Sequence, residues 1–400
     1  MREITLFGRK FGWEKVLRCD ILQFGGRSIT GLKPVADCHE MSCMPTVGEF
    51  LNLRVLVATA LRLRFGRWGY YKTFITCSRA RIILVWHDTN IESYLLGHHT
   101  KIPIAVIQNG LRHDFSPVGG SGLISQLGKL QSVTPSANAY FAFAETSAKR
   151  LSTRISADFQ LTGSFRLNEF VVSRSRATAS GSHKKFKLGL IVSLPNGGDI
   201  PGGHLANNES AYAVIEGSQV SFSSWFNADA VTAKALAAVC DTLSIEFSII
   251  GKRSAADSTE RDFFQSIPEL ERVPVINHEK GGGYEACESF DYLFTVDSTL
   301  GYEMLAIGHK VGFVSNRFRI AGVNSDEMTF AHPLDVGKDG PIWTSATTTE
   351  EISKFIHRFL SLTDDEWQSI RTTLVPRLMA LDPGNTKLRA YINQVLAGNR

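Results

Sequence analysis

The sequence predicts an α/β protein built as two doubly wound domains with a ligand cleft between them, and three observations carry that prediction. From residue 81 onward, short apolar runs alternate with helical stretches, the pattern of βαβ units feeding a parallel sheet. The alternation stops in a small, polar, basic segment at 173–187, Ser-Arg-Ser-Arg-Ala-Thr-Ala-Ser-Gly-Ser-His-Lys-Lys-Phe-Lys, and restarts after it. The third observation is size. A chain of 400 residues, 43% hydrophobic and 20% charged, can bury a core in each half and is not of a disordered, collagen-like or coiled-coil class. Domains are therefore expected at 1–172 and 188–400, joined by the linker 173–187, with the last helix able to return to the first domain.

Taken in order, residues 47–65 place Phe50, Leu51, Leu53, Val55, Leu56, Val57 and Leu61 at spacings that suit a buried helix. This stretch ends in Arg62, Arg64, Arg67, Trp68, Tyr70, Tyr71 and Lys72. Arginines there suit the negative end of a helix dipole, or else face anionic lipid or an anionic glycolipid acceptor. Residues 81–86 and 102–107 read as buried parallel strands ending in His87-Asp88-Thr89-Asn90 and Gln108-Asn109-Gly110. Residues 140–145 repeat the pattern, followed by a helix at 146–154 and a short strand at 159–162 that stops at Gly163. The second half reads as strands at 187–193, 246–250, 292–296 and 310–314. Its helices are expected at 228–243, 258–266, 301–307, 349–361 and 364–381, with a Gly/Asn-rich loop at 195–208. No internal repeat is evident.

The formal net charge is only +4, so a nucleic-acid partner relying on overall positive charge is not indicated. The excess is local: residues 1–80 hold 13 Lys/Arg against six Asp/Glu. Six cysteines with no CxxC pair read as reduced thiols of a cytoplasmic protein, and Cys38 with Cys43, the nearest pair, lacks further ligands at zinc spacing. The start, Met-Arg-Glu, lacks the apolar core of a signal peptide, and no stretch has the roughly 18 apolar residues of a membrane span.

The stretch Asp297-Ser298-Thr299-Leu300-Gly301-Tyr302-Glu303 is the most informative. A strand ends, hydroxyl residues follow and a helix begins, so Ser298 and Thr299 either cap that helix or bind phosphate at its positive end. Glu303 is expected in the first helical turn, where it suits the dipole or accepts from a ribose. In Ile250-Gly251-Lys252-Arg253, a strand runs into a glycine and two cations, either ordinary surface charge or a pair that neutralises phosphate or carboxylate. Asn109 and Arg112 sit in a strand-end loop that could orient a sugar or form a solvated turn. Glu145 at a strand end and Asp229 at an expected helix start, after Trp225-Phe226-Asn227, are either helix-terminal acids or a pair dividing acid/base and nucleophile roles. No Walker A, GxSxG, HExxH or GxGxxG motif is present, and Gly281-Gly282-Gly283 reads as a turn.

These residues resemble a family. Ile107-Gln108-Asn109-Gly110-Leu111-Arg112, Phe143-Ala144-Glu145 and Leu161-Thr162-Gly163-Ser164-Phe165-Arg166-Leu167-Asn168 resemble the first domain of bacterial surface-carbohydrate transferases with the GT-B fold. Ile250-Gly251-Lys252-Arg253, Asp297 through Glu303, Gly340-Pro341-Ile342-Trp343-Thr344 and Asp382-Pro383-Gly384-Asn385-Thr386-Lys387 resemble the second. Within that class the likeness is to the retaining β-Kdo transferases of lipopolysaccharide O-antigen assembly, over roughly residues 80–395. The resemblance implies a CMP-Kdo donor held by the second domain and a glycan or lipid-linked glycan acceptor held by the first. It also implies a cytoplasmic enzyme, at most peripheral on the inner membrane. Ser298 and Thr299 would contact the donor phosphate, and Lys252 and Arg253 stand where relatives often carry histidine-proline. Asp229 would be the nucleophile, Glu145 the acid/base, and Asn109 and Arg112 substrate ligands. With no DxD-like site, no metal or cofactor is expected. A polyol-phosphate (teichoic-acid-type) or sialyl transferase, and a non-catalytic carbohydrate-assembly subunit, are the alternatives.

Overall fold

The computed structural model describes residues 4–6, 9–26, 29, 31–36, 39–86, 88–110, 127, 130, 133–174, 186–195, 197–215, 217–254, 256–278, 282–323 and 339–398. Among these the chain divides into two units. The first runs to Gly110, includes the stretch ending at Ser173 and takes the C-terminal residues from Leu381; the second is Arg174–Ala380. Most of the expected linker lies outside the described residues.

In the first unit, β1 (Ile4–Leu6), β2 (Arg9–Gly12) and β5 (Leu51–Asn52) form a small sheet. The main sheet has β3 (Ile21–Phe24), β4 (Met41–Met44), β6 (Ile82–Val85), β7 (Ile104–Ile107), β8 (Ser136–Ala142) and β9 (Ser156–Leu161), in the order β4-β3-β6-β7-β8-β9. Every pair in it is parallel. Strands β6 and β7 are buried throughout, as continuous Ile/Leu/Val runs require when both faces of a sheet are covered. The stretch expected as one buried helix at 47–65 is instead β5 followed by the helix Leu53–Leu61, whose first turn is capped by Asn52 accepting from Arg54 and Val55 N–H. Only Val55 and Thr59 of that helix are buried; among the described residues no second layer covers its outer face, and Leu61 is exposed.

The second unit holds β10 (Lys187–Ile191), a β11 (Ala211–Ile215) and β12 (Ser218–Ser221) hairpin, β13 (Glu246–Ile250), β14 (Val275–Ile276), β15 (Tyr292–Thr295), β16 (Lys310–Val314) and β17 (Trp343–Thr344). Its parallel sheet runs β14-β13-β10-β15-β16-β17. The helix expected at 364–381 breaks into Asp364–Thr373 and Val375–Leu378, because Pro376 has no N–H to donate.

The last helix, Thr386–Gly398, packs Leu388, Ile392 and Leu396 into the first unit's core against Ile21, Ile82, Leu84 and Phe141. The Asp382-Pro383-Gly384-Asn385-Thr386-Lys387 string fastens it there. Buried Asn168 donates to Thr162 O (2.8 Å) and Asn385 Oδ1 (3.0 Å) and accepts from Asp382 N–H (2.9 Å). Asn385, at φ 54°, donates to Glu169 (2.7 Å), and Asp382 accepts from Lys387 N–H (3.0 Å).

Candidate functional site

Open parallel sheets bind ligands outside the carboxyl ends of their strands, where the strand order reverses. In the second unit β13 and β14 lie on one side of β10 and β15–β17 on the other, so the crevice falls between β10 and β15. Thr295, the last residue of β15, fixes this place: its hydroxyl donates to Ile191 O (2.9 Å) and accepts Ser298 N–H (3.0 Å). Ser298 and Thr299 are half-buried at the start of the helix Thr299–Ala306. The Ser298 side chain makes no capping hydrogen bond, although its backbone has the extended geometry of a cap. Gly301 lets this helix lie directly on the strand, since a Cβ there would be 2.5 Å from Thr295 Cγ2. Glu303 is the fifth helical residue, not a first-turn acid, and is buried; its charge helps push the buried Cys287 thiol up, after desolvation.

At the end of β13, Gly251 makes room for buried Glu260, whose carboxylate accepts Lys252 N–H (3.0 Å) and Arg253 N–H (3.1 Å). Burial pushes that carboxyl up, and the two N–H donors pull it back. The backbone donors of this turn are thus spent internally, and its capacity for an anion lies in the side chains. Lys252 Nζ approaches Ser193 Oγ (3.4 Å), and Arg253 donates to Leu194 O, so both cations lean from β13 toward the loop after β10. Among the described residues Arg253 Nε is buried without a hydrogen-bond partner, as are both amide atoms of Asn316, just beyond the end of β16.

Asp229 does not stand at a helix start. It is the eighth residue of the helix Phe222–Leu243, which begins at the Ser221 cap. It is 1% exposed and accepts from Arg317 Nη1 (2.7 Å) and Nη2 (3.3 Å). Arg317, 3% exposed, also donates to both oxygens of Asp297 (2.6 and 2.9 Å) and to Trp225 O (3.0 Å), and lies 5.4 Å from the Trp225 and Phe226 ring centroids. Desolvation pushes the Asp229 carboxyl above the usual range, Arg317 pulls against it, and Asp297 adds to the rise. Both Asp229 oxygens are thus engaged by a guanidinium in a buried pair, and its place is the middle of a helix, not the expected helix start. Asp297, 19% exposed, is the outer end of the triad and adjoins Ser298. Arg317 was not anticipated in the sequence, because its partners lie 88 and 20 residues away.

In the first unit, Asn109 and Glu145 follow β7 and β8 at the carboxyl edge of the main sheet. Two buried side chains tie these loops: Asp88 accepts Asn109 N–H (3.4 Å) and Tyr140 Oη–H (3.2 Å), and Gln108 accepts Phe143 N–H (2.8 Å) while donating to Gly110 O (3.0 Å). Glu145 is exposed at the first position of the helix Glu145–Ser152. Arg112 lies outside the described residues. Among the described residues no group of three or more His, Cys, Asp or Glu could hold a metal ion, and no helix is long and apolar enough to cross a membrane.

Two parallel, doubly wound α/β units define a GT-B-like fold. The chain belongs to the family described as "putative O-antigen biosynthesis protein", whose model matches residues 105–396. It is similar in fold to the UDP-GlcNAc 2-epimerase of Neisseria meningitidis, at 13% identity and a TM-score of 0.50, covering 94% of this chain and 99% of that one. It is similar also to the wall teichoic acid polymerase TagF, at 9% identity and a TM-score of 0.52, covering 95% and 90%. No curated protein matches the chain.

Proposed function

We propose that the chain is a glycosyltransferase of O-antigen assembly that moves Kdo from CMP-Kdo to a glycan or lipid-linked glycan acceptor, working in the cytoplasm at the inner membrane. The observation that carries the reading is the set of unspent polar groups at one sheet edge. Along the carboxyl edge of the second unit's sheet, Arg253 Nε beyond β13 and the Asn316 amide beyond β16 are buried with no hydrogen-bond partner among the described residues, and the Ser298 hydroxyl at the helix start beyond β15 makes no capping bond. Buried polar groups normally find partners, so this edge is built for a polar ligand, and its charge favours an anion. In this reading Ser298 and Thr299 hold the donor phosphate, Lys252 and Arg253 compensate the charge that develops as the nucleotide leaves, and Asp297, fixed by Arg317, borders the site. Glu145 serves as acid/base, with Asn109 and Arg112 on the acceptor. Asp229 is a positioning residue.

A second reading, transfer of a phosphoryl-polyol group, is favoured by the likeness in fold to the teichoic acid polymerase. Thermal shift with CMP-Kdo, CDP-glycerol and UDP-GlcNAc, followed by mass spectrometry and NMR of products formed with synthetic acceptors, separates these readings. Stabilisation by CDP-glycerol alone favours the second, and transfer from no donor leaves a non-catalytic assembly subunit. Ser298→Ala with Thr299→Val should weaken CMP binding by about 1–3 kcal/mol, the range for hydrogen bonds to a charged group, with the fold intact. Unchanged affinity by calorimetry would reduce the two hydroxyls to bystanders.

A further inference from the structure

Where the helix Leu53–Leu61 turns into Gly66–Ser78, the first unit pushes apolar side chains into solvent. Leu61, Leu63 and Phe65 are 81, 79 and 77% exposed, and Val57, one turn before Leu61 on the same helix face, is 48% exposed. Exposed Arg62 and Arg64 alternate with them. The turn is firmly built: Arg62, Leu63 and Arg64 N–H donate to Ala58, Ala60 and Thr59 carbonyls, and Leu63 is held at φ 50°. A contiguous apolar tip of this kind marks an interaction surface rather than scattered exposure.

Beside the tip lies a cavity of about 360 Å³ walled by the cations Arg64, Lys72, Arg79 and Lys101 together with His99. Among the described residues no carboxylate pairs with any of these four cations. Arg67, which the sequence placed in the same basic patch, is instead taken by Glu92 at 2.8 Å. The His99 imidazole on this wall is held below its usual range first by burial, with Lys72 and His98 adding to the fall. Arg64 belongs both to the tip and to the cavity wall, so an anion held there lies next to the apolar side chains.

We propose that this face docks on an anionic bilayer, with a lipid phosphate headgroup in the Arg64–Lys72–Arg79–Lys101 cavity and Leu61, Leu63 and Phe65 in the acyl boundary. Electrostatic attraction and apolar burial are the two signals that together give stable peripheral attachment. The inference deepens the membrane location in the proposed function by naming the surface responsible, and it does not depend on the donor used.

Flotation with vesicles of phosphatidylcholine alone, or with about one-third phosphatidylglycerol, tests it in the absence of any donor. The full chain should float with the anionic vesicles and be released by added salt. L61S/L63S/F65S should lower partitioning at least about a hundredfold, given ~1.5–3 kcal/mol per large apolar side chain fully buried and ~1.4 kcal/mol per tenfold. K72E/R79E should abolish the preference for anionic vesicles, whereas K354E, at an exposed lysine of the second unit, should change nothing. All these side chains are exposed, so circular dichroism and melting should match wild type. Equal recovery with both vesicle types, no recovery, wild-type partitioning of the triple variant, or calorimetric binding of inorganic phosphate without flotation would each overturn the proposal. Donor binding, measured separately by thermal shift, succeeds or fails independently.

Discussion

Replacing Arg317 by methionine keeps an unbranched side chain while removing the guanidinium that lies over Trp225 and Phe226 and is shared by Asp229 and Asp297. Four carboxylate contacts of 2.6–3.3 Å and one to Trp225 O are lost. Asp297 can turn to water, but Asp229 cannot, so the cost is that of stranding one buried charge, about 3–5 kcal/mol, plus about 1 kcal/mol for the carbonyl. That is a large part of the ~5–15 kcal/mol that keeps a protein folded. Urea unfolding followed by tryptophan fluorescence, with m-values compared, measures it. Adding Asp229→Asn to Arg317→Met removes the stranded charge and should recover about 2 kcal/mol. The pH dependence has a definite sign. Burial already lifts Asp229 above its unfolded value, and loss of the cation lifts it further. The folded state therefore takes up a proton more readily than the unfolded chain, and the deficit of Arg317→Met should shrink as pH falls through that raised value and grow as pH rises. A cost below about 1 kcal/mol, or a deficit equal at neutral and mildly acidic pH, would refute the reasoning.

Two further substitutions test neighbouring claims. Glu260→Gln can accept only one of the two N–H groups of Lys252 and Arg253, so about 1–3 kcal/mol of stability should be lost along with some order in the 251–254 turn, visible as faster amide exchange there; equal protection would show the turn is held otherwise. Asn168→Ala removes three buried hydrogen bonds, two of them to the C-terminal clasp (Asp382 and Asn385) and one to Thr162 O, and should cost about 1–3 kcal/mol, with proteolysis beginning around residues 381–398. Unaltered protease resistance would argue that apolar packing alone holds that helix.

The strands at 246–250 and 310–314 were legible in the sequence because each is a short apolar run closed by polar residues. Strand β3 was not, since Gln23 interrupts Ile21, Leu22 and Phe24; inside the fold that glutamine is buried and donates to Gly25 O. That Lys252, Arg253, Ser298 and Thr299 each follow a strand was legible in the local pattern, whereas the strand order that sets these turns along one carboxyl edge is a long-range property that no local pattern carries. Asp229 lies inside its helix and not at its start because the cap is Ser221, which the apolar neighbours Val220 and Phe222 conceal in the sequence. The exposure of Leu61 illustrates a general limit: spacing tells that a helix has an apolar side, not whether anything covers it.

Leu388, Ile392 and Leu396 complete a core whose strands are all made by Leu161. On the ribosome, then, the first unit waits for its last wall. At about 5–20 residues per second, the roughly 220 residues between Leu161 and the closing helix take some ten to forty-five seconds, during which the face bearing Ile21, Ile82 and Leu84 lacks its cover. A fragment cut within 173–187 would remain in that state permanently. An isolated first unit is better made by grafting residues 381–398 directly after Ser173 than by truncation.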